Sequence, residues 1–378
     1  MGKAGETQAD DKEKRRRQPM MAVNGSISDR QFRRLLVVDC FAKGAVLLPD
    51  LAAGVPVRIF LLGLLLGCFL VMGYVCLLCG IHRRALKREG ECRKWEKALA
   101  VCFLVYSFWN LVYLASAFGE IGTVFLLPES RKETLMAMMI LAGAIQAAGG
   151  VEARARTGTV LYHILVWPMA VLLIAGAFGI RPEHLAPGNV LEELNRSSTK
   201  EMFGMALRIF LAFGGIGTFV FVMPMVSGES GKAFRKGMAL TCGLLFGMLV
   251  VLIGVFGEGG LKNMQWPVIQ LMSSAELPGI FVNRWDAIFT GLLLTELFAA
   301  AGTSLFYLNL CGSRLWNHGE KGQIFLWAAG VFATALWCQN WEQAEQFFLQ
   351  MGLLAAGAGI LLNLFRYWKL GGERRVKS

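Results

Sequence analysis

Residues Phe210-Leu211-Ala212-Phe213-Gly214-Gly215-Ile216-Gly217-Thr218 set three glycines within four positions, in the middle of an apolar run from about 202 to 227. A run of that length matches the roughly 20 residues needed to cross about 30 Å of hydrocarbon. Glycines inside such a helix either let a neighbour approach closely or mark a place where the helix unwinds. A lipid-facing backbone cannot unwind, because each freed amide or carbonyl costs several kcal/mol unless protein or a water-filled cavity satisfies it. An interruption here therefore points to a buried site.

Working outward, similar apolar runs occur at about 32–52, 57–80, 97–119, 133–149, 157–180, 236–257, 285–311, 323–339 and 346–367, which makes ten predicted transmembrane helices. The composition agrees, with 55% of 378 residues apolar and only 17% charged, far from ordinary soluble usage. If the N-terminus is cytoplasmic, about 28 of the 38 Lys and Arg residues fall inside and about eight outside, so the bias in short loops predicts both ends in the cytoplasm. Residues 1–30 read as a disordered basic cytoplasmic tail containing Lys12 to Arg17, residues 31–368 as the transmembrane domain, and 369–378 as a second tail. The net charge of +11 lies in connections rather than on one face, which argues for membrane orientation and against nucleic acid. In the outer connection 258–284, the apolar stretch Trp266 to Met272 either lies against headgroups or caps a vestibule.

The chemistry of soluble enzymes finds no footing. Nine cysteines are scattered through apolar runs without metal spacing, and His82, His163, His184 and His318 are dispersed, so neither a metal, a cofactor nor a catalytic set is expected.

The first span carries its own irregularity, Asp39-Cys40-Phe41-Ala42-Lys43-Gly44, near its middle. Spans one and six are equivalent if ten spans form a 5+5 inverted repeat, about 31–180 and 202–368, and matched broken helices are the sequence mark of a midmembrane transporter site. Open backbone at Cys40, Phe41, Ala42, Lys43 and Gly44 and at Phe213, Gly214, Gly215 and Gly217 would present amides and carbonyls to an amino acid. Phe41 and Phe213 either close over the ligand or pack elsewhere. Intramembrane charges are expensive and functional by default, which singles out Asp39, Lys43, Arg208 and Glu296. Lys43 pairs either with Asp39 at i, i+4 or with Glu296. Arg208 either meets the ligand carboxylate or snorkels outward.

Several segments, in order along the chain, resemble the spore germination permeases. Ile27-Ser28-Asp29-Arg30-Gln31-Phe32 before a span ending in Pro49 resembles their opening, and Leu126-Leu127-Pro128-Glu129 their outer loop after span three. Gly150-Val151-Glu152-Ala153-Arg154-Ala155-Arg156 resembles their Gly-x-Glu followed by Arg, with Gly150, Glu152 and Arg156 as the motif residues. Met223-Pro224, Leu277-Pro278-Gly279 and Asn283-Arg284-Trp285-Asp286 complete the series.

The resemblance implies the B subunit of a nutrient germinant receptor, within the amino acid, polyamine and organocation superfamily and its LeuT-like ten-helix fold. It implies a small nutrient such as an amino acid as ligand, A and C receptor subunits as partners, and the inner spore membrane as location. It places span three against spans one and six, bringing Tyr106, Ser107 and Asn110 to the pocket, where otherwise they make interhelical hydrogen bonds. It also likens Thr303-Ser304 to the hydroxyl pair that holds a cation in sodium-coupled relatives, so that the Lys43 ammonium is expected in place of that ion. Asp39 and Lys43 depart from the neutral residues the resemblance leads one to expect. A secondary amino acid transporter coupled to protons or sodium is the alternative function.

Overall fold

The computed structural model describes residues 25–52, 55–85, 93–185, 196–274, 285–316, 321–338 and 340–372. The basic segment Lys12 to Arg17, the motif from Leu277 to Arg284, His318 and the last six residues lie outside that set. The described chain is nearly all helix, in the order α1 (Asp29–Ala52), α2 (Val57–Ala85), α3 (Arg93–Ile121), α4 (Lys132–Ala148) and α5 (Gly150–Phe178). There follow α6 (Arg196–Ala212), α7 (Ser230–Lys262), α8 (Trp285–Trp316), α9 (Lys321–Trp337) and α10 (Leu353–Gly372). By length and composition, seven helical stretches among the described residues suffice to cross a membrane; α1, with its charges, and the 17-residue α4 and α9 fall short of that measure.

From Leu35 to Pro49 every α1 residue except Lys43 is buried, so α1 runs through the centre of the bundle. Large apolar residues such as Phe69, Trp167 and Phe178 are exposed on α2 and α5, where lipid is the natural solvent. Without a hydrophobic force between helices in lipid, close packing needs small residues. A Cβ on Gly67 of α2 would sit 2.9 Å from Ile209 of α6 and 3.3 Å from the Ala206 carbonyl, and one on Gly143 of α4 would be 3.2 Å from the Gly302 amide of α8.

The two expected interruptions behave differently. After α6 the chain tightens into a 3₁₀ segment, Gly214–Thr218, then a short helical turn Phe219–Val222 and a second 3₁₀ turn Met223–Met225. The first span is unbroken, against expectation: α1 is a continuous helix through Cys40 to Gly44. Lys43 and Asp39 bond across one turn at 3.0 Å, an i, i+4 pair that the helix itself brings together. Gly44 serves packing, since its Cβ would meet Leu245 at 2.6 Å and Phe213 at 3.1 Å.

On the side where α1 begins, Ile27–Ser28 pairs in parallel with Val226–Ser227, tying the entry of α1 to the exit from the interrupted span. At the opposite end of α1, the apolar stretch Trp266 to Met272 includes a short helix, Pro267–Ser274, packed on α1, α7 and α8, with Trp266, Val268, Ile269 and Leu271 buried. It is a cap rather than a headgroup anchor. Trp266, held at φ +70°, a strained value for a bulky residue, lies 4.8 Å from the Trp341 ring.

Gly67→Leu is expected to lower the melting temperature of the detergent-solubilised protein, because overpacking against backbone costs about 1–3 kcal/mol. Gly73→Leu, on an exposed position with nothing within 4 Å, serves as the control and should leave it nearly unchanged.

Candidate functional site: a charged cavity beside the interrupted span

The 3₁₀ segment exists because three aromatic or apolar neighbours press on its glycines. A Cβ on Gly215 would strike the Tyr106 ring, one on Gly217 the Phe103 ring, and one on Gly214 would lie 2.6 Å from Ala356 of α10. Where the helix stops, the Ala212 carbonyl loses its helical donor, and the Tyr106 hydroxyl donates to it at 2.6 Å. Thr218 donates to the Gly215 carbonyl at 2.7 Å. The break is thus satisfied from within the protein, as a membrane interior requires.

Between this segment and α1 lies a cavity with about 480 Å³ of unfilled space. Its walls are Asp39, Cys40, Lys43, Gly44, Leu47 and Leu48 from α1, Tyr106, Asn110 and Tyr113 from α3, Ala212, Phe213, Gly215, Ile216 and Phe219 around the break, and Phe348. Asp39 is 2% exposed, and its Oδ1 is buried without a hydrogen-bond partner among the described residues. Its Oδ2 accepts from Lys43, whose ammonium also lies 5.9 Å from the Tyr307 ring centre on α8.

Of the residues expected to contact ligand, Cys40, Lys43, Gly44, Tyr106, Asn110, Phe213 and Gly215 line this cavity. Phe41, Ala42, Gly214 and Gly217 do not; an unbroken α1 turns Phe41 and Ala42 to its other faces, and Gly214 and Gly217 look towards Ala356 and Phe103. Ser107 is buried but does not line it. Tyr113, Phe219 and Phe348 were not anticipated, because nothing but a three-dimensional path brings Phe348, in the π turn Phe348–Gly352 before α10, to this place.

The expected charge network is dispersed. Lys43 belongs to Asp39, and Glu296 faces a different cavity, between α5 and α8. Arg208 is exposed, because α6 packs on α2 through Met205, Ala206 and Ile209 and turns 204, 207 and 208 outward.

The cation at Thr303 is a guanidinium. Arg154, 2% exposed, donates to Thr303 Oγ1, to the Ala299 carbonyl at 2.9 Å and to Gln146 Oε1 at 3.2 Å. A Cβ on Gly302 would lie 2.6 Å from its Nη1. Ser304 donates to the Ala300 carbonyl at 2.9 Å and reaches Asn110 at 3.5 Å. The expectation that Lys43 stands in for a metal cation there is therefore corrected. Asp39 lies near enough to act on Arg154 electrostatically. Arg156 and Glu152, read as the motif pair, form an exposed ion pair at 3.5 Å, and Gly150 makes the turn into α5 at φ +78°. A sequence signal for Arg154 existed: buried positions 151, 154, 155, 158, 161, 165 and 169 mark one helical stripe, and Arg154 lies on it.

A helical bundle with a polar cavity at an interrupted span defines a multi-pass membrane protein of transporter type, and solved structures agree. The chain aligns with a Na⁺-coupled sialic acid symporter in a substrate-bound outward-open state, with TM-score 0.62 and 12% identity over 89% of this chain and 79% of that one. It aligns likewise with Mhp1, a nucleobase-cation-symport-1 family transporter in a closed conformation, with TM-score 0.58 and 10% identity over 84% and 74%. At such identities the likeness is one of fold, the LeuT fold of these transporters.

Residues 27–344 match the spore germination protein family, and the chain belongs to it. Among its relatives, spore germination protein B2 of Bacillus subtilis (strain 168) is 22% identical over 240 residues, 62% of this chain and 62% of that protein. Spore germination protein YndE of the same organism is 20% identical over 292 residues, 74% of this chain and 78% of that one.

Lys43→Met leaves the Asp39 carboxylate buried without its partner and is expected to destabilise the protein by about 3 kcal/mol, the low end of the usual range because Arg154 also acts on Asp39. The double variant Asp39→Leu/Lys43→Met should lose less than Lys43→Met alone. Denaturation in a fixed detergent tests this; a double variant as weak as the sum of the singles would show that the pair is not the unit.

Proposed function

We propose that this protein is the nutrient-binding subunit of a spore germinant receptor and senses an amino-acid-type ligand in the cavity between α1 and the interruption after α6. The observation that carries the reading is the pairing of charges in the cavity wall. Asp39 Oδ1 is an acceptor with no donor, and beside it stands the Lys43 ammonium, so a zwitterion finds a counter-charge for each end. The cavity's space is divided among narrow crevices with room for little more than a water or two. Ligand entry must therefore displace rings. The Tyr106 and Phe348 rings, 5.7 Å apart, and the Tyr113 and Phe348 rings, 5.6 Å apart, link α3 to the start of α10, so a ligand that parts them shifts two helices. Such a shift is what a sensor passes on.

In this reading the chain makes ten spans in two inverted repeats, 31–180 and 202–368, with both ends cytoplasmic. It works in the inner spore membrane beside A and C subunits, and it has no enzyme activity. Arg154 on Thr303 and Ala299 supplies the positive charge at the α5–α8 junction, which makes ligand binding independent of sodium. A second reading, a secondary amino acid transporter coupled to protons or sodium, draws on the fold shared with symporters.

The test is binding of a panel of radiolabelled amino acids to the purified protein, with and without sodium. Saturable binding is expected, weakened at least about tenfold by Asp39→Asn, where a charge-assisted bond is lost. Arg208→Ala and the removal of sodium should leave it unchanged. Binding that requires sodium would sink the role given to Arg154, and concentrative uptake into proteoliposomes would favour the transporter.

A further inference from the structure

We infer that Glu296 on α8, beside Pro168 within α5, forms a proton-binding site separate from the central cavity. Both residues line a second, narrow crevice with Ile164, Leu165 and Met169 of α5 and Phe289, Leu292 and Leu293 of α8. Glu296 is 4% exposed, and its Oε2 is buried without a hydrogen-bond partner among the described residues.

Hydrogen-bond accounting leads to the proton. Pro168 has no N–H, so the carbonyl four residues earlier, that of Ile164, loses its helical donor. Ile164 and Glu296 both line this cavity, whose other side chains are all apolar. With Glu296 ionised, the lining side chains hold a carboxylate and no hydrogen-bond donor for it. With Glu296 in its acid form, one O–H is present for the acceptors, and no charge is left in an apolar wall. A metal ion is a poor alternative occupant, because a single carboxylate and a carbonyl fall well short of the six or more oxygens that a hard cation gathers.

Charged and titratable groups on the helices packed around α8 are engaged elsewhere. On α5, Arg154 bonds Thr303 and Ala299, and His163 is exposed; on α1, Asp39 and Lys43 hold each other. On α3, Tyr106 bonds Ala212, and on α4, Gln146 accepts from Arg154. The site takes its proton from water and returns it there, with no other reactant.

The decisive measurement is infrared spectroscopy of the full-length protein in lipid nanodiscs at about pH 7.5, where an ordinary glutamate is ionised. The expected result is a carbonyl-stretch band of a protonated carboxylic acid that shifts on ¹³C-glutamate labelling and disappears in Glu296→Gln. Glu296→Leu is the second variant, should the amide not be accepted by the fold. The wild type is also expected to lose thermal stability as pH rises above the ordinary glutamate range of about 4 to 5, since the native state holds a proton that the unfolded chain releases, while Glu296→Gln lacks that contribution. No labelled acid band in the wild type, or a band that survives replacement of Glu296, would overturn the assignment.

Discussion

The bond between Lys43 and Asp39 is the constraint around which this bundle is arranged. Both groups sit in the middle of the most buried helix, where an isolated charge costs several kcal/mol and a paired one is tolerable. The pair is made by helical geometry, so α1 must stay helical to keep it. That requirement moves the whole burden of interruption to the span after α6, whose glycines yield to Tyr106, Phe103 and Ala356. The site is consequently asymmetric: side-chain charge comes from α1, and irregular backbone comes from the other half.

The same arithmetic explains Arg154. Here a guanidinium reaches from α5 to the Ala299 carbonyl and the Thr303 hydroxyl of α8, and Gly302 leaves space for it. A tethered guanidinium thereby supplies the buried donors that the Ala299 carbonyl and the Thr303 hydroxyl accept from.

Much of the fold was legible in the amino-acid sequence, for definite reasons. Hydrocarbon thickness sets the length of apolar runs, so the helices were found with ends off by up to about seven residues, and three glycines in four positions marked the interruption after α6, whereas the kink at Gly257 within α7 went unremarked. What failed were readings that depended on direction rather than composition. The first span looked broken because two charges and a glycine inside a helix are unfavourable alone; the sequence does not show that Lys43 and Asp39 satisfy each other or that Gly44 is there for Leu245. Arg156 was preferred to Arg154 because both seemed to lie in a loop. Once α5 begins at Gly150, the two residues stand on different faces, one inward and one in solvent. Phe348 was invisible because no local pattern distinguishes a ring that enters the cavity from one that meets lipid.

Three buried polar groups lie along one side of α8. Tyr307 lies near the Lys43 ammonium, Thr303 accepts from Arg154, and Glu296 lines a crevice with Pro168. The first involves α1 and the cavity, and the other two involve α5. Coupling between distant sites needs a physical element with discrete arrangements that both sites bias. α8 packs against α1, α3, α4 and α5, and α1 and α5 also pack directly on one another, so these buried contacts belong to one continuous cluster of helices.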